Sequence, residues 1–144
     1  GERVVSAEDF FIGPSTDITR MTVLQPGDLL TTIRVPATFA GAHFYFEKVR
    51  DRQVWDFPLV NVASAILANN GIIEEARIVV NGVAPRPLRM TAVENAVRGE
   101  SLDDTTAERV SALAVRGAKP LRHNAYKIPL MRNLVKRSIQ RAEV

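Results

Sequence analysis

The chain has 144 residues and 15.9 kDa, with 46% hydrophobic and 24% charged residues, which is the composition of one folded domain or of a domain with an attached arm. It has no Cys and only two His, His43 and His123. That excludes a disulfide framework, thiolate zinc, a cysteine nucleophile and any iron–sulfur cluster held by this chain alone, and without HExxH or GxSxG nothing supports a metallohydrolase or serine hydrolase.

In chain order, Arg3–Val5 reads as a short strand, and Ser6 as the cap of a helical turn beginning Ala7-Glu8-Asp9-Phe10-Phe11. Gly13 to Asp17 and Gln25-Pro26-Gly27-Asp28 are turn sequences. Leu29 to Val35 is a β-rich alternating run ended by Pro36, and Ala42 to Val49, with Phe44, Tyr45 and Phe46, is another. Leu59 to Ala68 and Ile72 to Val83 flank Asn69-Asn70-Gly71, a strong hairpin turn, because Asn and Gly tolerate φ > 0. In the return strand, Ala76, Ile78 and Val80 share one face, and Arg77, Val79 and Asn81 the other. Pro85 and Pro87 end it.

Thr91 followed by Glu94 is a capping-box pattern for a helix over Ala92–Val97, closed by Gly99. Asp103 or Asp104 opens a second helix with Val110, Leu113 and Ala114 at helical spacing. A third runs from about Asn124, with Pro129 tolerable only in its first turn. Strands followed by helices argue an α+β fold: a small antiparallel sheet of three to four strands covered on one face by a three-helix layer.

The net charge of +3 is unevenly spread. From Arg116 onward, Arg116, Lys119, Arg122, Lys127, Arg132, Lys136, Arg137 and Arg141 face only Glu143. In the last helix Leu130, Leu134, Ser138 and Ala142 lie a turn apart, beside Met131, Val135 and Ile139, so the basic residues read as its solvent side or as a face for an acidic partner. No aromatic-interleaved basic motif points to nucleic acid. No apolar run approaches the roughly 20 residues of a membrane helix, and the first residues form no signal peptide. A start at Gly1 is the expectation for a processed or truncated chain.

Several segments, in order, resemble the flavoprotein (medium) subunit of the xanthine dehydrogenase / carbon monoxide dehydrogenase family of molybdenum hydroxylases. They are Asp9-Phe10-Phe11-Ile12-Gly13, Leu24-Gln25-Pro26-Gly27-Asp28-Leu29-Leu30 and Ile33-Arg34-Val35-Pro36. Tyr45-Phe46-Glu47-Lys48-Val49-Arg50-Asp51-Arg52 and Val60-Asn61-Val62-Ala63-Ser64-Ala65 follow. The hairpin return and its Pro-rich exit, Ala76 to Pro87, and Asn124-Ala125-Tyr126-Lys127-Ile128-Pro129-Leu130 complete the set, the last being similar to the bacterial aldehyde or purine oxidoreductase branch. The family's two Gly-rich phosphate-cradling loops are not found in this sequence. The resemblance therefore implies residues 1–38 as the C-terminal tail of an FAD-binding domain, and 39–144 as the flavoprotein C-terminal domain.

What the resemblance implies is a part of a larger oxidoreductase subunit, inactive alone, that covers FAD while electrons pass from iron–sulfur clusters to NAD or oxygen. Its implied partners are a molybdopterin-binding large subunit and an iron–sulfur small subunit, with no nucleic acid and no membrane, in the cytoplasm or, as the alternative, the periplasm. Leu30 matches a leucine that packs on FAD, and Lys48 an FAD-contacting lysine. The loop Arg50–Pro58 would lie beside the isoalloxazine ring, which makes Arg52, Trp55 and Asp56 candidate flavin neighbours. Trp55 either stacks near the flavin or packs on the sheet as a boundary residue. The family often has Asp-Ile-Ala or aromatic-Ala-Phe-Ala where Trp55-Asp56-Phe57-Pro58 stands here, which leaves the electron acceptor open. Leu24, Leu29, Leu30, Phe44, Phe46 and Trp55 are expected to line a surface built for a missing half, so that the isolated chain exposes an apolar patch and dimerises. The rival reading is a stand-alone α+β interaction module without flavin.

Overall fold

A computed structural model describes residues 1–142. The central unit is an antiparallel meander, β1 (His43–Val49), β2 (Val60–Asn69), β3 (Ile72–Asn81) and β4 (Leu88–Arg89), in the spatial order β1-β2-β3-β4. Asn70 and Gly71 both have positive φ, 51° and 76°, the conformation that lets a two-residue turn follow the twist of the flanking strands. It sets the register in which Ser64 faces Ile78 and Val62 faces Val80. On the other side of β2, Tyr45 faces Ser64 and Val49 faces Val60.

Alternation then decides the two faces. Val60, Val62, Ile66, Ala76, Ile78 and Val80 lie on one side, all at most 1% exposed. Ile73 breaks this parity yet is fully buried. A bulge resolves the conflict: Ala68 pairs with Ile73 and Leu67 with Glu75, so Glu74 is the extra residue that turns both Ile73 and Ala76 inward.

Three helices cover this face: α2 (Thr91–Val97), α3 (Asp104–Ala114) and α4 (Lys127–Gln140), behind an N-terminal turn, α1 (Ala7–Phe10). The core joins the sheet residues to Val93 and Val97 of α2, Ala107 and Val110 of α3, and Leu134, Val135 and Ile139 of α4. Each fully buried Val, Ile or Leu contributes about 1.5–3 kcal/mol relative to exposure. Asp103 caps α3 by accepting the Thr106 N–H at 2.7 Å, and Ser6 caps α1 through the Asp9 N–H. Pro129 is the third residue of α4, where its missing N–H costs no helical bond.

Three expectations need correction. Arg3–Val5 and Leu29–Val35 form no strands; both are exposed, and no strand of the described residues lies beside them to complete a ladder. A β-prone run without a partner leaves its backbone to water. The fourth strand instead comes from the Pro-rich exit, as Leu88–Arg89. The Thr91/Glu94 capping box does not form either: Thr91 is already inside α2, whose N-cap is Met90, with no side-chain cap. Glu94 is drawn away by stronger partners. It is 2% exposed, accepts the Ile78 N–H at 3.0 Å on the β3 edge, and receives Arg89 Nη2 at 2.8 Å.

Candidate functional site

The face of the sheet opposite the helices is largely open. Phe44 and Phe46 alternate outward along β1 and remain 71% and 64% exposed. Lys48, two residues further, shares this face and is half-buried. It lies opposite Asn61 of β2, which in turn lies opposite Asn81 of β3. The Asn61 Oδ1 is buried and has no hydrogen-bond partner among the described residues. A buried amide oxygen left unpaired costs about 1–3 kcal/mol, so this row Lys48–Asn61–Asn81 has an unfilled acceptor at its centre. Asn81 is already engaged, its Oδ1 accepting the Gly82 N–H at 2.8 Å.

The loop after β1 is closed at its base by the Leu59 N–H donating to the Val49 carbonyl at 2.8 Å. Arg52 Nε lies 3.2 Å from Asp56 Oδ2, while Asp56 Oδ1 accepts the Phe57 N–H at 3.1 Å. The pair fixes the loop locally, but Arg52 stays 72% exposed, so its remaining donors point to solvent-accessible space. Trp55 is wholly exposed, so it does not pack on the sheet as a boundary residue.

The arm approaches the same face from the other side. The one-turn 3-10 helix Ala37–Phe39 lays the Phe39 ring 5.3 Å from the Arg77 guanidinium, a cation–π contact. Val35, Pro36, Phe39, Phe44 and Ala65 border an apolar groove of about 290 Å³ there. Leu30 precedes this crossing and is 52% exposed. Arg3 holds the arm's own turn through Asp28 at 2.7 Å, and the Gln25 N–H and that guanidinium keep the Asp28 carboxyl below its usual range.

Of the five residues singled out from sequence, the structure joins Arg52 to Asp56 and sets Lys48 on the strand that leads into their loop. Trp55 lies in that same loop, wholly exposed, and Leu30 lies on the arm, also exposed. Asn61 was missed as a site residue. Its signal was an amide between two buried valines near the start of β2. His43 opens β1 and His123 sits in the exposed loop before α4; among the described residues no cluster of metal-ligating side chains exists.

Three basic residues of α4 turn toward carboxylates of the same chain. Arg132 and Lys136 reach Glu108 at 2.5 and 2.6 Å, and Arg137 pairs with Glu47. The Lys136 hydrogen bond holds the Glu108 carboxyl below its usual range.

Residues 44–142 match the family of CO dehydrogenase flavoprotein C-terminal domains. The chain belongs to this family. Among relatives of this flavoprotein domain, the carbon monoxide dehydrogenase medium chain of Hydrogenophaga pseudoflava is 28% identical over 146 residues, covering 99% of this chain and 49% of that one. The aldehyde oxidoreductase FAD-binding subunit of Escherichia coli is 31% identical over 128 residues, covering 89% of this chain and 37% of the relative. The solved carbon monoxide dehydrogenase of Hydrogenophaga pseudoflava superposes with a TM-score of 0.83 at 28% identity, over 97% of this chain and 48% of that one. The flavoprotein domain described here thus spans about half the length of the curated relatives it matches. The meander and helix layer are the family's architecture.

Proposed function

We propose that the chain forms the C-terminal part of the FAD-binding subunit of a molybdenum hydroxylase of the xanthine, aldehyde or CO dehydrogenase type. Its open sheet face would border the flavin. The observation that carries this reading is the asymmetry of the sheet: one face is sealed by three helices, while the other leaves Phe44 and Phe46 bare beside Lys48 and an unpaired Asn61 acceptor. Apolar rings suit the edge of a flavin, and the Asn61 oxygen and Lys48 ammonium suit its polar rim. The residues present fit one wall of such a site.

Bound FAD supplies the relay of electrons from iron–sulfur clusters to NAD or oxygen. The chain's own part is electrostatic and steric. Lys48 offsets negative charge at the cofactor, Arg52 held by Asp56 adds a second cation near it, and Leu30 and Trp55 close the apolar border against water. Residues 1–38 belong on this reading to the tail of the FAD-binding domain, and 39–144 to the C-terminal domain. The partners are the molybdopterin-binding and iron–sulfur subunits, in the cytoplasm. Deprived of them, two copies of the chain meet through the open face.

The test is a medium subunit in which this chain replaces the corresponding half of the Hydrogenophaga pseudoflava protein. We expect it to retain FAD, and Lys48→Ala or Phe46→Glu to lower flavin content and shift its visible spectrum. A chimera that folds without flavin, or variants that leave content and spectrum untouched, would overturn the reading.

A further inference from the structure

A second concavity lies on the opposite side of the molecule, where the exit from β3, the start of α2, the end of α3 and the start of α4 converge. Its volume is about 380 Å³, within the range of about 300–1,000 Å³ usual for small-ligand sites. Val83, Leu88, Val93, Leu113, Ile128 and Met131 give it apolar walls.

The charge at its border is one-signed. Arg89, Arg116, Lys119 and Lys127 line it, and no carboxylate does. Further along α4 three cations are matched, Arg132 and Lys136 by Glu108 and Arg137 by Glu47. Arg89 is likewise committed, to Glu94 and Glu8. Arg116, Lys119 and Lys127 have no carboxylate partner among the described residues. Lys127 donates one hydrogen bond, to the Gly82 carbonyl at 2.6 Å, which anchors the ammonium over the concavity and leaves two N–H donors uncommitted. Three cations without a carboxylate partner border one apolar pocket, an arrangement complementary to an anion.

We propose that this concavity is a binding site for a small amphipathic organic anion, its apolar body against Val93, Ile128 and Met131 and its carboxylate between Arg116, Lys119 and Lys127. The site is independent of the flavin reading, since it lies across the helix layer from the open face. The groove on that face offers a comparison: no charged side chain lines it, and Phe39, Phe44 and Ala65 give it apolar walls.

The experiment is a titration of the isotopically labelled full chain with octanoate, followed by amide and methyl resonances, with octan-1-ol and acetate as probes lacking the charge or the apolar body. We expect saturable octanoate shifts at Gly117, Lys119, Val93 and Met131. Octanol and acetate should each bind roughly three- to tenfold more weakly, as should octanoate to the Arg116→Ala/Lys119→Ala variant, whose altered residues are both exposed. Raised salt should weaken octanoate and leave octanol unchanged. Shifts confined to Phe44 and Phe46, equal binding of octanol and octanoate, or no saturable shift would overturn the proposal. So would tighter binding of an acetyl-Leu-Glu-Glu-Leu amide, which would reassign the groove to a polypeptide partner.

Discussion

A carboxylate with only 2% of its surface exposed is costly unless its oxygens are occupied, and those of Glu94 are. Oε1 accepts from the Ile78 N–H and Arg89 Nε, and Oε2 from Arg89 Nε and Nη2. One residue thereby completes the β3 edge where β4 stops, ties α2 to the sheet, and holds Arg89 so that Nη1 reaches Glu8 on the arm at 2.9 Å. The hydrogen bonds it donates to Glu94 and then to Glu8 hold the Arg89 guanidinium charged well beyond its ordinary range. Glu94→Ala leaves Arg89 and an edge N–H without partners and should cost about 2–4 kcal/mol in chemical denaturation. Glu74→Ala, at the exposed bulge position, should stay within about 0.5 kcal/mol.

Tyr45 offers a pH signature at the same scale. Burial, and then the hydrogen bond its hydroxyl donates to Glu47, raise its pKa above the ordinary value. The folded state favours the neutral phenol, so its contribution is present below the unfolded pKa of about 10 and is lost as pH rises through the higher folded value. Unfolding free energy should fall more steeply as pH rises above about 10 in the wild type than in Tyr45→Phe. Single-residue chemistry of this kind was the least legible part of the sequence. Glu94 has the spacing of a capping box, and only the tertiary position of Arg89 and Ile78 redirects it. Lys48 and Arg52 could be chosen by resemblance, whereas Asn61 becomes interesting only once its oxygen is seen to lack a partner.

Elements were legible where the pattern and its partner both lay within the chain. The alternation of Ala76, Ile78 and Val80 and the Asn70-Gly71 turn specify β2–β3 locally, and the structure buries those three at 1% or less. Leu29–Val35 carries a similar β signal, but propensity says nothing about a neighbour, and the run stays unpaired. The bulge at Glu74 was invisible because a parity change needs the opposing strand to reveal it.

The exit from β3 has a requirement of its own at Gly82. Its φ is 79°, and a Cβ there would sit 3.0 Å from the Leu59 carbonyl oxygen and 3.3 Å from that of Pro58. Backbone crowds it on one side, Lys127 grips its carbonyl on the other, and neither can yield without moving β2 or α4. Gly82→Ala should therefore destabilise by more than about 1 kcal/mol, with the denaturation midpoint lowered. Gly99→Ala, also at positive φ (81°) but in open space, should cost less, because only the backbone preference opposes it.

At the scale of the molecule, the sheet is finished on one side and unfinished on the other. The helix layer consumes the apolar residues of the inner face, whereas Leu29, Leu30, Phe44, Phe46, Trp55 and Phe57 all remain more than half exposed. These side chains lie along β1, its following loop and the arm, where a partner surface could withdraw them from water. Each exposed Phe withheld from water would contribute about 1.5–3 kcal/mol. Contact between two copies over Phe44 and Phe46 withdraws two such rings per copy from water, about 6–12 kcal/mol gross, against an association cost of about 4–15 kcal/mol, so the expected self-association is weak and needs high protein concentration. Sedimentation of the isolated chain should show concentration-dependent self-association that raised salt does not weaken, since the contact is apolar and Arg132, Lys136 and Arg137 of α4 are already paired within the chain. Phe44→Ser/Phe46→Ser should abolish it while leaving stability nearly unchanged, because both side chains lie outside the core. Association that survives this double variant, or that dissolves in salt, would move the sticky surface from the open sheet face to the basic side of the molecule.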